Sequence, residues 1–103
     1  MTYKHFLLIY QLSDDYLARR GEFRAEHLSM AKLAADEGRL LLAGALADPA
    51  DRAVFLFTGS DDDAPRQFAE ADPYVANGLV RSWSVREWTT VIGSGAAQPV
   101  ALS

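Results

Sequence analysis

Apolar and polar positions follow two rhythms along this chain, and the changes between them mark its elements. Residues 3–12, YKHFLLIYQL, are short, apolar and partly aromatic, and predict a buried strand. Ser13, Asp14 and Asp15 supply helix-start chemistry, with acidic groups near the positive end of the helix dipole. The predicted helix runs to Glu37, with Gly38 where a C-terminal cap belongs. Gly21 interrupts the pattern, so a second form of the prediction starts the helix after it, with a separate turn over residues 14–20. Residues 39–46, RLLLAGAL, form a second predicted strand, and residues 47–52, ADPADR, are turn chemistry. Residues 53–59, AVFLFTG, follow as a third strand, close enough to the second for an antiparallel hairpin. Residues 60–71, SDDDAPRQFAEA, predict a shorter helix, with Pro65 tolerable in its first turn. Residues 79–91, rich in Val, Trp and Thr, predict a long fourth strand.

The order is β-α-β-β-α-β. It predicts an α+β fold of the ferredoxin-like kind: a four-stranded antiparallel sheet with two helices on one face. The other face is left bare, and a second subunit is the cheapest cover for it. Residues 1–92 are expected to form one domain. Residues 93–103, small and without periodicity, are expected to be a flexible C-terminal tail, whose Val100-Ala101-Leu102 is its segment for docking on a neighbour.

Composition narrows the function classes. The 103 residues carry a net charge of −4 and scattered Lys and Arg, which is not the basic footprint of a nucleic-acid binder. There is no cysteine, so disulfides and thiolate metal sites are excluded, and two histidines without a ligand motif give no metal site. No apolar run is long enough to span a membrane, and residues 6–10 are too short for the core of a signal peptide. The expected compartment is the cytoplasm.

The candidate chemistry comes from two places. On a helical wheel with Phe23 at zero, Met30, Ala34, Ala31, Ala35 and Leu28 share one broad apolar arc, and His27 falls inside it at about 40°. Arg24 stands at the shoulder of the arc near 100°, and a helix starting before Gly21 adds Arg20 at about 60°. An Arg and a His on an inward face need a carboxylate or a ligand anion nearby. The plain alternative is an Arg that snorkels to the edge and a His bonded to a backbone carbonyl. The second place is ADPYVANGL, residues 71–79. Asp72 suits a helix N-cap ahead of Pro73, and Asn77-Gly78 suits the end of a single turn, so Asp72 reads locally as a cap. Two helices side by side on one sheet face would bring Asp72 towards His27, and a carboxylate beside an imidazole suits acid–base work.

The stretches RAEHL (24–28), DEGRLLLAGAL (36–46), FTGS (57–60) and ADPYVANGLV (71–80) together resemble the YciI-like family, also called the YCII-related domain. The resemblance runs from the first strand to about Val91. It implies a dimeric α+β barrel and a His-Asp site, with His27 and Asp72 in those places and Arg24 three residues before the His. The chain departs from the family pattern at Ala25, where many relatives have Pro, and in the brief loop Ala47 to Arg52.

Two functions are then expected in competition. One is a small-molecule enzyme of lyase or isomerase type acting on cyclic or aromatic compounds. In it His27 is the acid–base group, Asp72 holds the ring, Arg24 attracts an anionic or phenolic oxygen, Tyr74 shapes the pocket, and no cofactor or metal takes part. The other is a non-catalytic homodimer that binds a small metabolite or serves as an accessory module, with the His-Asp pair structural. An open cleft of a few hundred Å³ beside His27 favours the first, and a closed one the second.

Overall fold

A computed structural model describes residues 3–101 of the chain. Strand β1 (Lys4–Leu12) is followed by a short helix α1 (Tyr16–Arg19), a 3-10 turn (Arg20–Glu22) and the long helix α2 (Arg24–Asp36). Strands β2 (Leu40–Ala45) and β3 (Arg52–Gly59) come next, then α3 (Asp63–Ala71), the single-turn α4 (Pro73–Ala76) and β4 (Val80–Trp88). The predicted elements are all present. The helical region takes the second of its two predicted forms, broken at the 3-10 turn that contains Gly21, so the long helix starts at Arg24.

The sheet order is β2-β3-β1-β4, every neighbour antiparallel, with β2 and β3 joined as the expected hairpin. This is the ferredoxin-like α+β fold. Alternation along β1 sends Phe6, Leu8, Tyr10 and Leu12 to one face, where Ala53, Phe55 and Phe57 of β3 join them. Both long helices cover that face: Phe55 meets Phe68 of α3 at 5.2 Å and His27 of α2 at 5.9 Å, centroid to centroid.

The helical wheel is only partly right. Ala34 and His27 of α2 are buried, but Leu28 is 47% exposed. Helix α2 lies over the edge strand β2, where there is no further sheet beneath Leu28 to bury it. Gly38 follows α2 with φ of 80° and Gly78 follows α4 with φ of 78°, the left-handed geometry expected at both stops.

The opposite face of the sheet is bare. Leu7, Ile9, Val54 and Leu56 are half-buried there, while Leu42 and Trp88 are 72% and 49% exposed. Strand β4 ends at Trp88, three residues before the predicted end, because Thr90 turns away to bond His5 and to receive the Ala97 N–H. From the tail, the Gln98 N–H donates to the Thr90 carbonyl and the Val100 N–H to that of Val91. Leu102, part of the expected docking segment, lies outside the described residues, as do Met1, Thr2 and Ser103. Among the described residues no helix is long and apolar enough to cross a membrane.

Candidate active site

Asp72 ends α3 and caps α4. Its extended backbone (φ −74°, ψ 124°) and the Pro73 that follows break the helix between Ala71 and the next turn. That break turns the carboxylate inward, where the residue is fully buried. Three donors meet it there. The Tyr74 N–H reaches Oδ1 at 2.9 Å, the cap bond expected from the sequence. The Tyr10 hydroxyl donates to Oδ2 at 2.7 Å. The His27 Nδ1 lies 3.0 Å from Oδ1 and 2.9 Å from Oδ2. Asp72 is thus both the cap and the partner of His27.

An ionised carboxylate only accepts hydrogen bonds, so the His27 Nδ1 carries the hydrogen. The lone pair is then on Nε2, which has no hydrogen-bond partner among the described residues. Tyr74 stacks on the imidazole at 4.0 Å and 12° and fixes the plane of the ring. Burial first, and then the Asp72 carboxylate, push the Tyr10 phenol far above its ordinary value, so Tyr10 stays a donor. Burial also pushes the Tyr74 phenol up, and Tyr16 adds to the rise, while the Arg24 and Arg20 guanidiniums pull it the other way.

His27 and Tyr74 form one wall of a cavity of about 130 Å³. Arg20, Arg24, Tyr16 and Phe55 also line it. The space exists because the strand side is lined by Ala43, Gly44, Ala45 and Ala53, which carry a methyl group at most. The volume is below the few hundred Å³ expected of a catalytic cleft. It is close to that of an engineered cavity, about 150 Å³, that takes up one benzene. It therefore suits a ligand of one ring or less.

Of the four residues singled out in the sequence, His27, Tyr74 and Arg24 line the cavity, and Asp72 lies sealed behind the first two. Tyr10 was missed as a partner of Asp72. The period of β1 puts it on the buried face, and a buried phenol needs an acceptor, which is the signal that would have found it. Tyr16 and the small residues of β2 were also missed, since only the tertiary structure brings them to the cavity. Among the described residues no three His, Asp or Glu side chains are grouped so as to hold a metal ion.

The YCII-related domain family matches residues 4–89. Protein YciI of Escherichia coli O6:H1 is 36% identical over 95 residues, covering 84% of this chain and 97% of its own length, and Protein YciI of Shigella flexneri matches equally. Among solved structures, the 5-chloro-2-hydroxyhydroquinone dehydrochlorinase TftG of Burkholderia phenoliruptrix AC1100, in complex with 2,5-dihydroxybenzoquinone, superposes with a TM-score of 0.70 at 18% identity. That match covers 84% of this chain and 94% of the other. A NIPSNAP family protein of Agrobacterium tumefaciens str. C58 superposes with a TM-score of 0.59 at 14% identity, over 90% of this chain and 97% of its own. At these identities the two structures speak for the fold alone.

Proposed function

The chain belongs to the YCII-related family, and from that premise we propose that it is a small-molecule enzyme of lyase or isomerase type with His27 and Asp72 as an acid–base dyad. The observation that carries this reading is the fully buried Asp72 beside the His27 Nδ1, which leaves Nε2 as the basic atom at a one-ring cavity. Nε2 takes a proton from a ring carbon or hydroxyl, and Asp72 stabilises the imidazolium that results. Arg24 offsets charge developing on a ring oxygen. In an isomerisation the imidazolium returns the proton at another atom. In an elimination the freed electron pair forms a new double bond, a group such as chloride departs with the pair of its own bond to carbon, and the imidazolium then gives its proton to solvent. Tyr74 holds the ring of the substrate, and the reading invokes no metal and no organic cofactor.

A fold neighbour is named a dehydrochlorinase, so chlorinated hydroxyhydroquinones are sensible first substrates. Chloride release, and incorporation of deuterium from heavy water into unchlorinated hydroquinones, are expected from the wild type and not from His27→Gln. If the wild type binds such rings but gives neither product, the protein is a binding or accessory module. The cap and the Tyr10 bond, which give Asp72 a structural task of its own, and a cavity smaller than a few hundred Å³ favour that second reading.

The proposal includes a homodimer. The bare sheet face exposes Leu42 and Trp88 beside half-buried Leu7 and Leu56, and a second copy would cover them. Sedimentation at micromolar protein is expected to give twice the mass of one chain, and a clean monomer would contradict it. A cytoplasmic location, with neither nucleic acid nor membrane as partner, is in keeping with the net charge of −4.

A further inference from the structure

The cations of the chain divide into two groups. Arg19, Arg39, Arg66 and Arg81 each hold a carboxylate, and so do Lys4 and Lys32. Arg52 holds the side-chain oxygen of Gln11. Arg20, Arg24 and Arg86 hold no carboxylate among the described residues, and of these three Arg20 and Arg24 line the cavity that contains His27. Arg20 stands over the Tyr16 ring at 5.7 Å, which aims it without neutralising it. The carboxylate of the site, Asp72, is sealed behind His27 and Tyr74 and already accepts from three donors. Two guanidiniums therefore line the cavity with no ion-pair partner among the described residues. Both also act electrostatically on the Tyr74 phenol, so their field reaches the ring that stacks on His27.

Arg20 opens the 3-10 turn and Arg24 opens α2. The guanidinium fork matches planar oxyanions in a bidentate manner. A cavity of about 130 Å³ leaves room for one ring below the two forks and excludes a nucleotide.

We propose that Arg20 and Arg24 form a two-guanidinium clamp at the mouth of the cavity, which selects single-ring ligands carrying two adjacent acidic oxygen groups, as in benzene-1,2-dicarboxylate. The clamp rests on the reading of the cavity as a small-molecule site, and it adds both the charge of the ligand and a role for Arg20. The ring enters towards Tyr74 and Phe55, and the two oxyanions stay at the rim.

Phthalate and benzoate serve as probes, with binding read from the ring C–H signals of His27 by NMR titration. Phthalate is expected to bind about tenfold tighter than benzoate, the scale of one added charge-assisted bond. Arg20→Gln is expected to abolish that advantage, bringing phthalate to about the affinity of benzoate. Arg24→Gln is expected to weaken phthalate likewise. Arg20 lies on a partly exposed turn, and unchanged signals from the Tyr10 and Phe55 rings would report an intact fold in each variant. Equal binding of the two probes, or a phthalate advantage that survives Arg20→Gln, overturns the clamp and leaves the small-molecule site standing. No shift of His27 with either probe at millimolar concentration overturns the small-molecule site, and the clamp with it.

Discussion

The two histidines of the chain are buried to nearly the same degree, His5 at 6% exposure and His27 at 8%, and each is bonded through Nδ1. What they meet is different. His5 lies on the bare side of the sheet, 2.8 Å from the hydroxyl of Thr90. That hydroxyl accepts the Ala97 N–H at 2.7 Å and has its own hydrogen left to give. It also has a second lone pair, so the His5 Nδ1 can accept from it or donate to it, and Thr90 fixes neither tautomer. His27 lies under the helices against a carboxylate that has nothing to give, so its Nδ1 donates and its Nε2 is left basic. Burial alone does not mark a histidine for chemistry. The partner decides whether the tautomer is fixed, and only at His27 is that partner a carboxylate; His5 lines a hollow of its own, of about 490 Å³, with Leu42, Leu56, Trp88 and Ile92.

The largest expected effect separates the two regions by stability. Asp72→Ala removes a cap worth about 1 kcal/mol and strands two buried donors, Tyr10 and His27, for a total of about 3 kcal/mol or more. Urea unfolding measures it, and a loss near that of the cap alone would mean the three bonds do not act together. Tyr10→Phe is next, at about 1 kcal/mol below pH 10. Its pH dependence has a definite sign. The folded state holds the Tyr10 proton well above the ordinary value of 10.0, while the unfolded chain loses it near that value. Wild-type stability therefore falls as pH rises through 10. The Tyr10→Phe curve should be flatter there, and parallel curves would deny the burial of the phenol. Thr90→Ala, on the His5 side, breaks neutral bonds near the surface and is expected to cost about 1 kcal/mol or less. Ending the chain at Ile92 should change stability least, and a large drop would show that the tail is an integral part of the bare face.

The same contrast shows what could be read from the sequence. Short apolar and aromatic runs such as FLLIY and VFLF marked strands, and glycines at 38 and 78 marked the helix stops, because these are local preferences of the backbone. The Asp72 cap was legible for the same reason. The His27–Asp72 contact crosses 45 positions of the chain, and it followed only from the fold and from the family resemblance. Tyr10 acts on Asp72 across 62 positions, with no local signal beyond its strand face. The cavity was not legible at all. It is a volume left where Ala43, Gly44, Ala45 and Ala53 meet, and a run of small residues on an edge strand has no period to announce it. Arg20 stood on the helical wheel, but the break at Gly21 left its direction open.

The central claim is that Asp72 fixes the His27 hydrogen on Nδ1 and so makes Nε2 the base at the cavity. Long-range proton–nitrogen NMR correlations on the imidazole rings test it most directly, since the two tautomers have different nitrogen shifts. At neutral and mildly alkaline pH the neutral His27 ring should be the Nδ1–H form. Asp72→Asn keeps the cap but offers an N–H where an oxygen was, and His27 should then change to the Nε2–H form. A His27 ring that is Nε2–H in the wild type, or unchanged in Asp72→Asn, would contradict the account.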